Sequence, residues 1–530
     1  MSESQTQTGP LTGTQIARAA LVVMAAFVLS RLLGLGREVI LAYVFGATPE
    51  YGAYLAALQL PDTLFFVVAG GALGSAFIPT FTAALATGDR DAAWRLASAV
   101  INLILLLLVA LAVLAWIFAR WIVVNLLVPG FTPSQQLLAA ELMRIMLLSP
   151  IIFGLSGIVM GILNSHQRFL AAALAPSMYN LGIIGGALLL SDSMGVRGLA
   201  WGVVAGAALH LGVQLPGLVR VGARYSRVLG LRDPGVREVA RLMGPRVLGL
   251  AVVQLNFWVN IFLASSMAPG SVAALKRGFA VMLLPQGVIA QSVATAVFPT
   301  FSALTARGET VGLRRTLGQT LGAVLFLALP ATVGLIILRV PIVRIIFERG
   351  LFTPEDTAAT AWALLFYALG LVAHSLVEII TRAFYALHDT LTPVWVGGGA
   401  MALNVIFSLI LIRFIGSPGS LTMGAFGGLA LANTLATALE GFGLLWLIRG
   451  RLRGLDERRL LSGLARAGMA SLGMGLALAG LLFLLNDASV WLVAGLGVAV
   501  GGVVFWGLAW VFGSQEARLF TRLALERLRG

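Results

Sequence analysis

The chain is 530 residues long, 59% hydrophobic and only 11% charged, with a formal net charge of +14 and no cysteine. An apolar share so far above that of a soluble domain predicts an all-α polytopic membrane protein. The lack of cysteine excludes disulfides, thiolate metal sites and cysteine nucleophiles, and the positive charge is assigned to topogenic arginine on cytoplasmic loops, not to nucleic-acid binding.

Met1 to Pro10 is polar. The first apolar stretch is too long, and too poorly flanked by a cleavage site, for a secretory signal peptide, so residues 1–15 are expected to be a cytoplasmic tail. Crossing about 30 Å of hydrocarbon takes roughly 20 residues per helix. Fourteen stretches qualify: 16–44, 52–84, 92–124, 136–163, 170–190, 196–219, 238–266, 272–304, 314–338, 356–381, 391–414, 423–448, 462–485 and 490–512. Pro61, Pro150, Pro285 and Pro330 lie in or near spans and are candidate kinks. Residues 513–530 alternate leucines with arginines and read as an amphipathic helix, either on anionic lipid or packed on cytosolic loops.

The chain also repeats. Ala76-Phe77-Ile78-Pro79-Thr80-Phe81-Thr82-Ala83 returns as Ala296-Val297-Phe298-Pro299-Thr300-Phe301-Ser302-Ala303. Leu60-Pro61 returns as Leu284-Pro285, Phe131-Thr132-Pro133 as Phe352-Thr353-Pro354, and His166 as His388. A period holding six spans means two homologous lobes with a candidate site between them, related by a pseudo-two-fold along the membrane normal. The N-lobe is then 16–219 and the C-lobe 238–448. Basic loops at 220–237 and 449–461 follow them, and the helix pair 462–512 is an addition. With the N-terminus inside, roughly two dozen basic residues lie on the cytoplasmic side and about eight outside, so both termini are expected to be cytoplasmic.

The most informative ionisable groups are in span 1: Ser30-Arg31-Leu32-Leu33-Gly34-Leu35-Gly36-Arg37-Glu38. An intramembrane arginine costs about 2.5–3.5 kcal/mol on insertion scales and normally faces protein or water. Arg31 and Arg37 are about 9 Å apart along a regular helix and roughly 120° apart around it. Gly34 and Gly36 are candidate hinges that would turn both guanidinium groups towards one cavity. Planar forks in a wet cavity suit a pyrophosphate-bearing substrate, with Glu38 tempering the charge or exchanging an ion. The competing reading is an ion pair, Arg37–Glu38 or interhelical, that only fixes packing.

These residues, with Phe45-Gly46-Ala47, Leu60-Pro61-Asp62, the Ala76–Thr80 segment and Leu284-Pro285-Gln286-Gly287, resemble the MurJ (MviN-type) lipid II flippases of the MOP exporter superfamily. The resemblance covers nearly the whole chain. It implies fourteen helices in two six-helix lobes, with a final pair forming a groove for a polyprenyl tail. It further implies alternating-access transport of the undecaprenyl-pyrophosphate-linked peptidoglycan precursor from the inner to the outer leaflet of the bacterial cytoplasmic membrane, coupled to membrane potential or to Na+ or H+. Cell-wall synthesis proteins are the partners it suggests.

By the resemblance, Arg31 and Arg37 match the two functional arginines of the family's first helix, and Glu38 a position usually Asp. Two other family arginines are replaced, by Phe65 in helix 2 and Ala280 in helix 8; Lys276 and Arg277, one turn earlier, are candidate substitutes. Asn260 stands at an acidic position linked to cation binding in some members, and Glu378 is a second cation candidate or a partner of Arg382. Pro285 is a third candidate hinge. Glu440, His210 and His374 are further polar groups within spans, the histidines being candidates for proton relay. Gly397-Gly398-Gly399 suits close helix approach.

No metal-ligand set, nucleotide motif or Ser-His-Asp candidate occurs, so an enzyme is not expected and no cofactor is implied. The leading expectation is a flippase for lipid II. The alternatives are a MOP-type exporter of another lipid-linked oligosaccharide, or a transport-deficient cell-envelope interaction protein.

Overall fold

The computed structural model of the protein describes residues 13–70, 77–485 and 488–529. These residues are helical nearly throughout, and their only β-feature is one isolated bridge between Ser417 and Gly424. Two compact units form. One comprises residues 1–44, 53–125 and 133–251; the other takes in 252–530 together with the short segments 45–52 and 126–132.

The first half of the chain runs α1 (Gly13–Phe45), α2 (Pro49–Leu64), a π-helical turn (Phe65–Gly70), α3 (Ile78–Ala86), α4 (Arg90–Ile117) and the short α5 (Ala119–Ile122). A second π turn (Val123–Leu127) leads to α6 (Pro133–Met146), α7 (Leu148–Ser165), α8 (Phe169–Gly185), a third π turn (Gly186–Leu190), α9 (Ser191–Met194), α10 (Val196–Gly212) and α11 (Leu215–Arg220). α12 (Pro234–Ala264) begins the second half. It is followed by α13 (Ser271–Gln286), a π turn (Gly287–Gln291), α14 (Ser292–Ala306), α15 (Thr310–Phe347), α16 (Pro354–Leu369), α17 (Leu371–Ala386), α18 (Leu391–Leu411) and α19 (Phe426–Arg451). α20 (Glu457–Leu484), α21 (Val490–Val511) and α22 (Gln515–Arg529) complete it.

Ten helical stretches of the described residues are long and apolar enough to cross a bilayer, and eleven when α16–α17, bent by 47°, counts as one. The chain is a multi-pass membrane protein. The other three of the fourteen expected spans fall on α1, α2–α3 and α12, which that count does not include, so fourteen remains an expectation of the sequence. Large apolar side chains point outward along the helices, among them Phe483, Leu484, Trp491 and Val503, which only a lipid surround accommodates without cost.

The internal repeat is visible in the backbone. α2 with its π turn and α3 corresponds to α13 with its π turn and α14. In each case a proline inside the helix, Pro61 or Pro285, precedes the wide turn. A proline removes one N–H and crowds the carbonyl four residues back, and a local π turn is one way a helix absorbs such a disturbance. Phe81 and Phe301 are fully buried at matching places. Pro133 and Pro354 each open a helix, and Thr353 and Asp356 form a reciprocal capping box at the second of these. α6–α7 and α16–α17 break at matching points, Leu147 and Gly370. Pro150 therefore sits in the first turn of α7 and is no kink, while Pro330 lies inside an unbroken α15.

One pairing needs correcting. The sequence aligns His166 with His388, but the backbone aligns His388 with Gln167, since both adopt φ of 58°. His166 and Leu387 are the equivalent C-caps. His166 accordingly packs its ring over Trp94 and Phe81 and bonds the carbonyl of Ile162, a turn-closing role.

In the first unit α8 and α10 cross through glycine. A Cβ on Gly186 would stand 2.5 Å from the Cα of Gly202, and one on Gly206 would stand 2.6 Å from the carbonyl oxygen of Tyr179. Such small-residue stripes let backbones approach where lipid supplies no hydrophobic drive. The Gly397–Gly399 run does less than expected: only Gly397 has a near neighbour, Glu440, and the other two face open space. In the second unit α20 and α21 pack on α15 around Phe326, Met474, Leu478 and Phe505, with Ala517 of α22 completely enclosed among them. The start of α22 is therefore docked on helices, and Trp506 donates to Thr521 at 3.1 Å.

Candidate functional site

α1 runs as one regular helix through Gly34 and Gly36. Neither glycine acts as a hinge in this conformation, and Arg31 and Arg37 keep the angular separation that a straight helix imposes. Gly34 instead admits Asn180 of α8, whose amide donates to the carbonyls of Ser30 at 3.4 Å and Pro176 at 3.1 Å. Arg31 is exposed, its guanidinium 5.3 Å from the centroid of the Phe27 ring.

Arg37 is the centre of a polar cluster inside the first unit. Its Nη2 donates to Glu38 Oε1 at 2.6 Å, and the two side chains are 25% and 14% exposed. Its Nε is enclosed with no acceptor. Tyr54 of α2 and Tyr179 of α8 interact electrostatically with the guanidinium, and Asp62 of α2 with Tyr179. Sequence reasoning missed Tyr54 and Tyr179, whose only signal was an aromatic hydroxyl inside an apolar span.

The pairing of Arg37 with Glu38 bears on what the pair is for. Residues adjacent in sequence sit on one helix and do not bind that helix to another. A pair kept only for packing would bridge elements; this one bridges none. It presents instead a half-occupied fork, with one N–H lacking the acceptor that a phosphate oxygen would supply. A buried unsatisfied donor costs about 1–3 kcal/mol, which an anionic ligand would recover.

At the position where the resemblance implies a lost arginine, Phe65 opens the first π turn and packs its ring 4.6 Å from Phe153. Phe153 in turn meets Tyr179 edge-on at 4.9 Å and His210 at 5.2 Å. Behind it lies a buried network in which His210 Nδ1 and Ser156 Oγ are 2.7 Å apart and Gln214 donates to Ser156 at 2.7 Å. An aromatic wall thus replaces a cation beside the Arg37 cluster.

In the second unit the expected substitutes separate. Lys276 is exposed, whereas Arg277 is 1% exposed. Arg277 donates to the carbonyl of Gly46 at 2.7 Å and lies 4.6 Å from the Tyr51 ring and 5.0 Å from the Phe352 ring. This corrects the expectation for Arg277: stacking and burial leave no face of its guanidinium open to a substrate in this conformation. Gly46 has φ of 56°, and a side chain there would collide with the carbonyl of Leu351. Arg277→Ala should lower thermal stability by about 2–4 kcal/mol through the lost desolvated cation–π contacts and hydrogen bond. Arg277→Lys should recover little of this, because an ammonium does not stack; a fluorescence melt of the purified variants checks both.

Asn260 donates to Asn256 at 3.3 Å, and its own carbonyl oxygen is buried without a partner. Glu378 pairs with Arg382 at 3.0 Å, one of the two uses expected of it. His374 meets Asn433 at 3.2 Å. No group of three or more acidic or histidine ligands suited to a metal occurs among the described residues. Pro285 lies inside α13, two residues before the π turn.

The sequence profile of the family described as lipid II flippase MurJ matches residues 41–503. A protein of Vibrio cholerae named probable lipid II flippase MurJ is 30% identical over 499 residues, covering 91% of each chain. A solved structure of lipid II flippase MurJ in an inward closed conformation matches with a TM-score of 0.78 at 28% identity, over 93% of this chain and 98% of the other. An inward-facing multidrug resistance MATE family transporter of the MOP superfamily shares the fold, with a TM-score of 0.65 at 17% identity over 82% of this chain and 99% of its own. With the Arg37 cluster in place on α1 and the repeat visible in both units, these matches establish that the chain belongs to the lipid II flippase MurJ family.

Proposed function

We propose that this protein is a transporter, not an enzyme, and that it moves lipid II from the inner to the outer leaflet of a bacterial inner membrane by alternating access. The observation that carries the reading is end-to-end similarity to proteins named for that activity, at 28–30% identity over more than nine-tenths of the chain. Arg37, tempered by Glu38 and flanked by Tyr54 and Tyr179, binds the pyrophosphate, and Arg31 meets it on the neighbouring face of α1. Lys276 adds positive charge on α13, and Gly34, Gly36 and Pro285 bend during transport. Asn260 and Glu378 belong to the coupling path for Na+ or H+, or the membrane potential alone drives the cycle. Residues 462–512 hold the polyprenyl tail, and both termini lie in the cytoplasm.

The test is complementation of a conditional lipid II flippase depletion strain. Growth should be restored by the wild-type chain and not by Arg31→Ala or Arg37→Ala at equal membrane levels. Failure of the wild type despite good membrane insertion would defeat the lipid II reading. A second reading has its own support: Phe65 places an aromatic wall where the family resemblance implies a cation, which favours a less anionic head group on another lipid-linked oligosaccharide. That exporter would not rescue, and neither would a non-transporting cell-envelope protein; only the exporter would move a lipid-linked oligosaccharide in vesicles.

A further inference from the structure

The starts of α15 and α20 lie side by side in the second unit and enclose an open cavity of about 740 Å³. Its lining includes Arg314, Arg315 and Gln319 from α15, and Asp456, Arg459 and Leu460 from the start of α20. Three guanidinium groups face one carboxylate. The other nearby acids are already committed: Glu457 is held by Arg449 at 2.6 Å, and Glu516 accepts from Ser514 at 2.9 Å while lying against Gly322 and Gly463, deeper along the helices.

The arrangement runs against the electrostatics of a helix start. Helix N-termini carry partial positive charge and favour acidic side chains in the first turn. α15 has no acidic residue there, and Arg459 sits in the first turn of α20. Two positive helix ends and three arginines in one concavity form a field that an anion would relieve.

The site is also built in advance. Arg314 Nη1 reaches the carbonyl of Arg453 at 3.4 Å, and its guanidinium lies across Gly454, where a Cβ would stand 3.5 Å from Nη2. Arg453 and Gly454 adopt φ of 54° and 109°, so the loop turns sharply there. Leu452 and Leu455 anchor the loop in the core beside Leu313 and Leu317. The fork of Arg314 is thus oriented before any ligand arrives, and planar forks match phosphate oxygens.

We propose that this cavity binds a phosphate ester, presented by the head group of an anionic membrane lipid. Both helices are membrane-spanning candidates that begin at this end, which sets the arginines at head-group depth, where basic pockets between transmembrane helices capture such lipids. The proposal goes beyond the transport reading and does not rest on it.

The test uses purified full-length protein in a zwitterionic detergent, with ligand binding followed by native mass spectrometry. The probes are dioctanoyl phosphatidylglycerol, dioctanoyl phosphatidylcholine and inorganic phosphate. Phosphatidylglycerol should bind at least about fivefold more tightly than phosphatidylcholine. Arg315→Gln and Arg459→Gln should each weaken it by about fivefold, the value of one arginine near an anionic surface. Both side chains are exposed, so neither change should disturb folding, which size-exclusion chromatography checks. Arg120→Gln, an exposed arginine in the first unit, should change nothing. Equal binding of the two lipids, or binding that ignores both cavity variants, overturns the proposal. Arginine-dependent binding of inorganic phosphate with no preference between the lipids overturns the lipid source and assigns the cavity to a soluble phosphate.

Discussion

Arg37→Ala is expected to abolish transport while the protein accumulates in the membrane at the wild-type level. The guanidinium pairs with its own helix neighbour and bonds no other helix in the first unit, so removing it breaks no interhelical hydrogen bond. It also takes away a charge that is expensive to keep in a span. What disappears is the fork itself. Hydrogen bonds to charged groups are worth about 1.5–3 kcal/mol each, so the loss of two to a pyrophosphate amounts to a hundredfold or more in rate, on the order of 1.4 kcal/mol per factor of ten. Arg37→Lys should retain partial activity through its charge. Initial flipping rates in proteoliposomes, beside immunoblots of membrane level, separate the possibilities; a parallel fall in both would make the pair structural after all.

Gly206→Val is expected to do the opposite and take protein level and activity down together. A side chain at Gly206 meets the backbone oxygen of Tyr179 at 2.6 Å and its ring at 2.8 Å. Backbone cannot step aside as a flexible side chain does, so α8 and α10 must separate. Overpacking of this kind costs about 1–3 kcal/mol or more. The damage does not stay local, because Tyr179 is wedged between Gly206 and Phe153 and carries the hydroxyl next to Arg37. Fluorescence-detected size exclusion should show a several-fold drop in monodisperse protein, with activity falling in proportion. A well-folded variant with normal flipping would mean that the glycine crossing is dispensable.

The helices were legible in the sequence because lipid selects for long apolar runs, and each expected span lies within a few residues of an observed helix or helix pair. The repeat was legible through Pro61 with Pro285 and through Phe81 with Phe301, residues whose backbone or packing demands admit few substitutes. Arg37 and Glu38 stood out because charge inside a span is rare. The remainder depends on how helices are rotated about their own axes, which an all-apolar stretch does not encode. Tyr54 and Tyr179 reach Arg37 from helices distant in the chain, and nothing in their local pattern marks the direction they face. Arg277 looked like a cavity cation by its position on α13, yet its rotation buries it between Tyr51 and Phe352. Similarly, the triple glycine at 397–399 was more conspicuous than Gly186, Gly202 and Gly206, which make the tight crossing because they recur every four residues on one face.

The π turn at Gly287–Gln291 holds one more residue than an α-helical path of the same span requires. It therefore behaves as a tolerated insertion whose removal would be felt downstream. Deleting a single residue there would let the segment relax to ordinary α geometry and swing α14 by about 100° around its axis. Phe301, now fully buried against α15 and α17, would be carried out of the core. The wide turn thus sets the phase of the helix that follows it, and because each half of the chain carries one after its proline, insertions or deletions near either should be far less tolerated than substitutions.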